Sequence, residues 1–221
     1  MTGLTRSLRY ATFRAARVIG ICLLMAVGFV FYFALLDGAQ FTAQNLLPRF
    51  PFMLLFIGNL MFMVYGMLDV ATYTQLTLTY GCTRKNAAIS MVYMNLLQIL
   101  ALEAVMVLFC EIIPESWQMI DAKTCGLLAL IAFLFSSGLA LVTGILIHRF
   151  GKVAYIIVVI LASVGGGVIG GLVGFNGGMT VLMNVVIGLL NLPVLIVTGI
   201  VWYAVTAVIF WLCIRKIEVR V

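Results

Sequence analysis

The chain has 221 residues, of which 65% are hydrophobic and only 9% charged, and it carries a formal net charge of +6. No soluble core absorbs that proportion of apolar side chains, so the composition excludes a soluble globular domain and defines an integral membrane protein of all-α class. A β-barrel does not fit either, because barrel strands alternate apolar and polar residues and the runs here are apolar all round.

A helix needs about 20 apolar residues to cross the hydrocarbon layer. Runs of that kind cover residues 18–36, 50–68, 87–110, 126–147, 153–173 and 194–214, which predicts six transmembrane helices in one domain. Ahead of the first run, Arg6, Arg9, Arg14 and Arg17 are spread among Leu8, Tyr10, Phe13 and Val18. As a helix this stretch is basic and amphipathic, suited to lie on the inner leaflet; the other reading is an ordinary positive-inside anchor that orients span one. The run behind it lacks a small-residue cleavage site, so the first span is expected to stay rather than be removed as a signal peptide. Asp69 falls at the inner end of the second run and is expected at the interface.

Residues 74–90 form a polar connection between two greasy spans, rich in Thr and holding an Arg-Lys pair. In the third run, Asn95, Gln98 and Leu102 share roughly one helix face, and Glu103 is a carboxylate inside a span. Intramembrane carboxylates are costly and point to function. This polar seam either lines a pathway or glues helices together. Cys110 and Cys125 flank one short loop; they are either two thiols or, if that loop is exported, a disulfide. The fifth run ends in overlapping small-residue rows, with Gly166, Gly170 and Gly174 as one example, which mark a close helix contact or a bend. Residues 176–192 are too short for a comfortable crossing and are bounded by Asn-Gly-Gly and Asn-Leu-Pro, which predicts a re-entrant segment between spans five and six; a plain hydrophobic outer loop is the other reading.

Lys and Arg stay on the cytoplasmic side. With the first residue inside, the inner segments hold Arg6, Arg9, Arg14, Arg17, Arg84, Lys85, Arg149, Lys152, Arg215, Lys216 and Arg220, and the outer ones hold Arg49 and Lys123, eleven against two. Both termini are therefore expected in the cytoplasm, with an even number of crossings. Between Lys152 and Arg215 lie 62 residues without a charge. Three crossings there would put Arg215, Lys216 and Arg220 outside, so two crossings plus a dipping segment fit better.

Little in the chain resembles a catalyst. There is one histidine, His148, and no C-x-x-C pair, so no metal site is expected. Gly-x-Ser-x-Gly and His-Glu-x-x-His are absent. The one Gly-Lys, at Gly151 and Lys152, is followed by Val153 and is no phosphate-binding loop. The chain is not expected to be an enzyme or to hold a cofactor, and nothing in it calls for nucleic acid.

The polar connection suggests more. Tyr80, Gly81, Cys82, Thr83, Arg84, Lys85 and Asn86 resemble the Gly-x-Ser/Thr-Arg-Lys signature that follows the second span of ABC-2-type transporter permeases. The layout is similar along the whole chain: a basic N-terminal helix, six spans, a cytoplasmic coupling segment, here residues 70–86, and short re-entrant helices between spans five and six. The resemblance implies a permease in the bacterial cytoplasmic membrane, paired with a second permease chain and driven by separate ABC ATPase subunits that hold the ATP and Mg. It implies that Thr79, Tyr80, Gly81, Cys82, Thr83, Arg84 and Lys85 couple to the ATPase, with Asn95, Gln98 and Glu103 as candidate pathway residues. The cargo class it suggests is peptide-like, amphipathic or lipid-like. One departure is that residues 72–79 are Thr-rich and alternating, poor helix material, so the coupling helix is expected to be short or frayed. Two other readings stand beside this one: a substrate-binding component of an energy-coupling-factor importer, and a non-transport membrane immunity or assembly factor.

Overall fold

A computed structural model describes residues 3–36, 38, 41–79, 83–113, 122–151, 153–154, 156–157, 160 and 192–214. All regular structure among these is helical. The long helices are α1 (Gly3–Leu36), α3 (Arg49–Thr79), α4 (Arg84–Ile112), α5 (Ala122–Phe150) and α6 (Leu192–Ile214), and α2 (Ala43–Leu46) is a single turn leading into α3. Five stretches are long and apolar enough to cross a membrane: Leu4–Leu36, Ala43–Val70, Arg84–Ile112, Thr124–Phe150 and Pro193–Ile214. The protein is a multi-pass membrane protein. Of the expected fifth span only residues 153–154, 156–157 and 160 are described, and they are helical. Gly166, Gly170, Gly174 and the segment 176–192 lie outside the described residues, as do Tyr80, Gly81 and Cys82.

Two expectations about the ends of the helices are corrected. The basic N-terminal stretch is not a separate surface helix; it continues without a break into the first span. Its small residues Ala11 and Ala15 are fully buried in the helical core. Residues 72–79 are helical rather than frayed. The low propensity of Thr is overridden because the helix is already nucleated by the span before it, and adding a residue costs far less than starting a new helix. Thr72 also donates its hydroxyl to the Leu68 carbonyl at 2.7 Å.

Side-chain contacts fix the helix directions. Phe50 packs on Phe109 with ring centroids 4.1 Å apart, and the Gly58 site meets Leu102, so α3 and α4 are antiparallel. Gly58 faces Phe133, Gly66 faces Ala140 and Gly144 faces Val70, so α3 and α5 are parallel. Gly199 lies beside Leu134, and Gly138 beside Trp202 and Thr206, so α5 and α6 are parallel too. The hydroxyls of Thr12 in α1 and Tyr93 in α4 lie 3.4 Å apart, while Val18 and Cys22 share a cavity with Gln98 and Leu102, so α1 runs with α4. One end of the bundle thus gathers Gly3, Thr79, Arg84, Phe150 and Ile214. It is called the basic end here, because Arg6, Arg9, Arg14, Arg17, Arg84, Lys85 and Arg149 lie toward it. The far end gathers the start of α3 and the junction of α4 with α5.

The α3–α5 contact is close because glycine makes it so. A methyl group added at Gly66 would sit 2.5 Å from the Ala140 Cβ, and one added at Gly144 would sit 2.5 Å from the Val70 Cβ. Helices in lipid gain no hydrophobic drive from meeting each other, so such backbone proximity, with its dispersion contacts, supplies much of the association energy. Across the same interface Ser136 donates a hydrogen bond to Asn59 Oδ1. On α6, Trp202 stacks on Phe135 at 5.7 Å between centroids and donates its indole N–H to the Phe135 carbonyl at 3.3 Å.

Candidate functional site

The basic end is held by a charge pair. Asp69 in α3 is 0% exposed, and Arg14 in α1 is 30% exposed beside it. Arg14 Nε donates to Asp69 Oδ1 at 2.6 Å, and Nη2 donates to the same oxygen. The phenol of Tyr10, one helical turn before Arg14, adds a side-chain hydrogen bond. Asp69 Oδ2 has no hydrogen-bond partner. Asp69, expected at the interface from its place near the end of an apolar run, is buried there against α1. A buried carboxylate is tolerable only with a partner. Arginine at position 14, brought there by the buried Ala11 and Ala15 of the same helix, supplies one.

Beyond Asp69, α3 continues toward the basic end, where α4 begins. Helix α3 runs eleven residues past Leu68, where its apolar run ends in the sequence, to Thr79. Its 31 residues measure about 46 Å, more than the roughly 30 Å of a hydrocarbon core. Helix α4 then starts on Thr83, whose extended backbone (φ −67°, ψ 149°) and hydroxyl accepting from the Asn86 N–H at 3.3 Å make it an N-cap. Arg84 and Lys85 follow, both exposed. Two cations in a first turn that holds no acid oppose the helix dipole. Of the expected coupling residues, Thr79 closes α3, Thr83 caps α4, and Arg84 and Lys85 open it. Replacing Thr83 with alanine is expected to cost about 1 kcal/mol. Thermal unfolding in mild detergent checks this, and an unchanged midpoint would remove the cap from the account.

Inside the bundle, Asn95 and Gln98 are 1% and 4% exposed, and Glu103 is half-buried. Asn95 Nδ2, Gln98 Nε2 and Glu103 Oε2 are buried without a hydrogen-bond partner. Gln98 and Leu102 line a cavity of about 10 Å³ with Val18, Cys22, Gly58 and Phe62, at the α1–α3–α4 junction. That is about the least space that holds one water. Glu103 sits elsewhere, at the α4–α5 contact, where a methyl group on Gly126 would come 3.4 Å from Glu103 Oε1. The three expected pathway residues thus split between two interfaces. Asn95 and Gln98 are core groups of α4, and Glu103 faces α5 near the far end.

Among the described residues no cluster of His, Cys, Asp or Glu has the arrangement of a metal site. What the arrangement provides, among the described residues, is a set of buried polar groups with spare hydrogen-bonding capacity, an ion pair joining α1 to α3, and two exposed cations at the start of α4. No family model matches the chain, and no curated protein or solved structure matches it either.

Proposed function

We propose that the chain is the membrane-spanning half of an ATP-driven exporter of the ABC-2 type, a permease whose ATP is hydrolysed by a separate subunit. The observation that carries the reading is the pair of exposed cations that opens α4 at the basic end. Helix α3 runs past its apolar run to Thr79, and α4 opens on the Thr83 cap with Arg84 and Lys85 exposed. A cytoplasmic partner that pushes there acts on α3 directly, and through the Arg14–Asp69 pair on α1 as well. Force applied at one turn would tilt two helices together.

The orientation follows from charge: the basic end faces the cytoplasm. Helix direction supports six crossings. Helix α5 ends at the basic end and α6, parallel to it, starts at the far end. The chain passes from one end to the other between Phe150 and Leu192, as a further crossing in residues 153–173 would do, which leaves residues 176–192 for a re-entrant segment on the outer side. In this reading the permease pairs with a second permease chain in a bacterial cytoplasmic membrane and is docked by ABC ATPase subunits that bind the ATP and Mg. The cargo is peptide-like or amphipathic/lipid-like, the class that the resemblance suggests. Catalysis belongs to the partner.

Reversing the cations tests the docking surface. In membranes that contain the permease and its ATPase, Arg84→Glu combined with Lys85→Glu is expected to abolish cargo-stimulated ATP turnover, by at least tenfold, while the chain still inserts and unfolds at an unchanged midpoint. Turnover equal to wild type would take the coupling role away from both residues.

A further inference from the structure

At the far end, α4 finishes and α5 begins with a cysteine each. Cys110 lies in the last turn of α4 and Cys125 in the first turn of α5. The helices are in contact at this level, since a methyl group on Gly126 would come 3.2 Å from Val107 Cγ2. The two thiols are close enough to share a side-chain hydrogen bond. They differ in access: Cys110 is 4% exposed, and Cys125 is half-buried. The other described cysteines have no such partner position. Cys22 is buried in the middle of α1, and Cys213 lies near the end of α6 at the opposite end of the bundle.

We infer that Cys110 and Cys125 are a disulfide-forming pair that clamps α4 to α5 at the far end of the bundle. Both are free thiols in this structure, placed within hydrogen-bond reach of each other on antiparallel helices that are in contact at this level. The order of events follows from access. The Cys125 thiolate attacks the disulfide of an external thiol oxidant and forms a mixed disulfide, releasing one oxidant thiol. The buried Cys110 then attacks the Cys125 sulfur and expels the second oxidant thiol. One disulfide is formed in the chain and one is reduced to a dithiol in the oxidant, so electrons balance, and the two thiol protons pass to the oxidant sulfurs. The clamp closes the loop from 110 to 125, which restricts the unfolded chain and fixes the α4–α5 angle beside Glu103. The compartment rests on the orientation proposed above, since a bond of this kind persists only outside the cytoplasm.

The test counts thiols in the full-length protein from its native membranes. The protein is denatured, alkylated with a maleimide and weighed intact. The pair predicts that three of its five cysteines react without reductant and all five after reduction. Cys110→Ser and Cys125→Ser should each leave all four remaining thiols reactive without reductant. Reduction of the wild-type protein should lower its melting midpoint by about 5–10 °C and leave both serine variants unmoved. Five reactive thiols in the untreated protein would overturn the proposal. Treating that sample with copper phenanthroline would then show where it fails. A bond formed on treatment would mean the thiols are placed correctly and the far end faces a reducing side, against the proposed orientation. No bond would mean the contact itself is wrong, and the orientation would be untouched.

Discussion

Replacing Asp69 with alanine is expected to destabilise the protein by about 3 kcal/mol, because it leaves the Arg14 guanidinium lodged against the bundle without its counter-charge. The estimate is set at the low end for a broken buried pair, since Arg14 keeps 30% of its side-chain exposure and with it some access to water or headgroups. Arg14→Ala should cost at least as much. It strands a carboxylate that is 0% exposed and already has one oxygen, Oδ2, without a partner. The double variant is the informative one. With both charges gone, no uncompensated ion is buried, and stability should return to within about 1–2 kcal/mol of wild type. The cycle therefore predicts strong non-additivity, read from chemical unfolding in mixed micelles. Additive losses would mean that the two side chains act separately and that α1 is not tied to α3 through them. The coupling route from the end of α3 to α1 would then have no physical basis.

Gly66→Ala is expected to destabilise by about 2 kcal/mol, although alanine is ordinarily the better helix former by roughly 1 kcal/mol. The sign reverses because of what the new methyl meets: the Ala140 Cβ only 2.5 Å away, on a helix whose backbone must move to make room. Gly144→Ala meets the Val70 side chain at the same distance and should behave alike. Gly28→Ala is the internal control. Nothing lies within 4 Å of its added methyl, so that variant should be neutral or slightly stabilised. Thermal scans of the three variants in one detergent decide the matter. A Gly66→Ala midpoint at or above wild type would mean that α3 and α5 do not pack through glycine.

Much of the architecture was legible because the bilayer imposes a simple rule: spans must be long, apolar and helical. The runs at 18–36, 50–68, 87–110, 126–147 and 194–214 each fall within a described helix. Lengths were misjudged at the basic end, where α1, α3 and α4 reach beyond their apolar cores. Composition marks where grease stops, but a nucleated helix goes on for as long as its backbone is satisfied. The polar seam on α4 was legible in part. Helical spacing placed Asn95, Gln98 and Leu102 on one side, and all three are buried. Spacing within one helix cannot say which neighbour is faced, so it did not show that Glu103 faces α5.

The Arg14–Asp69 pair was missed for a related reason. Read along the chain, an acid near the end of an apolar run belongs at the interface, and its partner lies 55 residues away. A signal was present: Arg14 and Asp69 each lie near the same edge of their spans, with opposite charge. Glycine packing was sought in the conspicuous row at Gly166, Gly170 and Gly174, whereas the described contacts run through Gly58, Gly66, Gly138 and Gly144. Isolated glycines in greasy helices carry no local mark of what they touch.

The central claim is that this chain works with a separate ATPase. Its most direct test is to tag the protein in its native cells, extract it in mild detergent and identify the co-purifying chains by mass spectrometry. The account predicts an ATP-binding cassette subunit in stoichiometric amount, lost when residues 81–85 are scrambled while the scrambled chain still reaches the membrane. Recovery of the tagged chain with no such subunit would contradict it, and would leave Arg84 and Lys85 as no more than an anchor at the membrane surface.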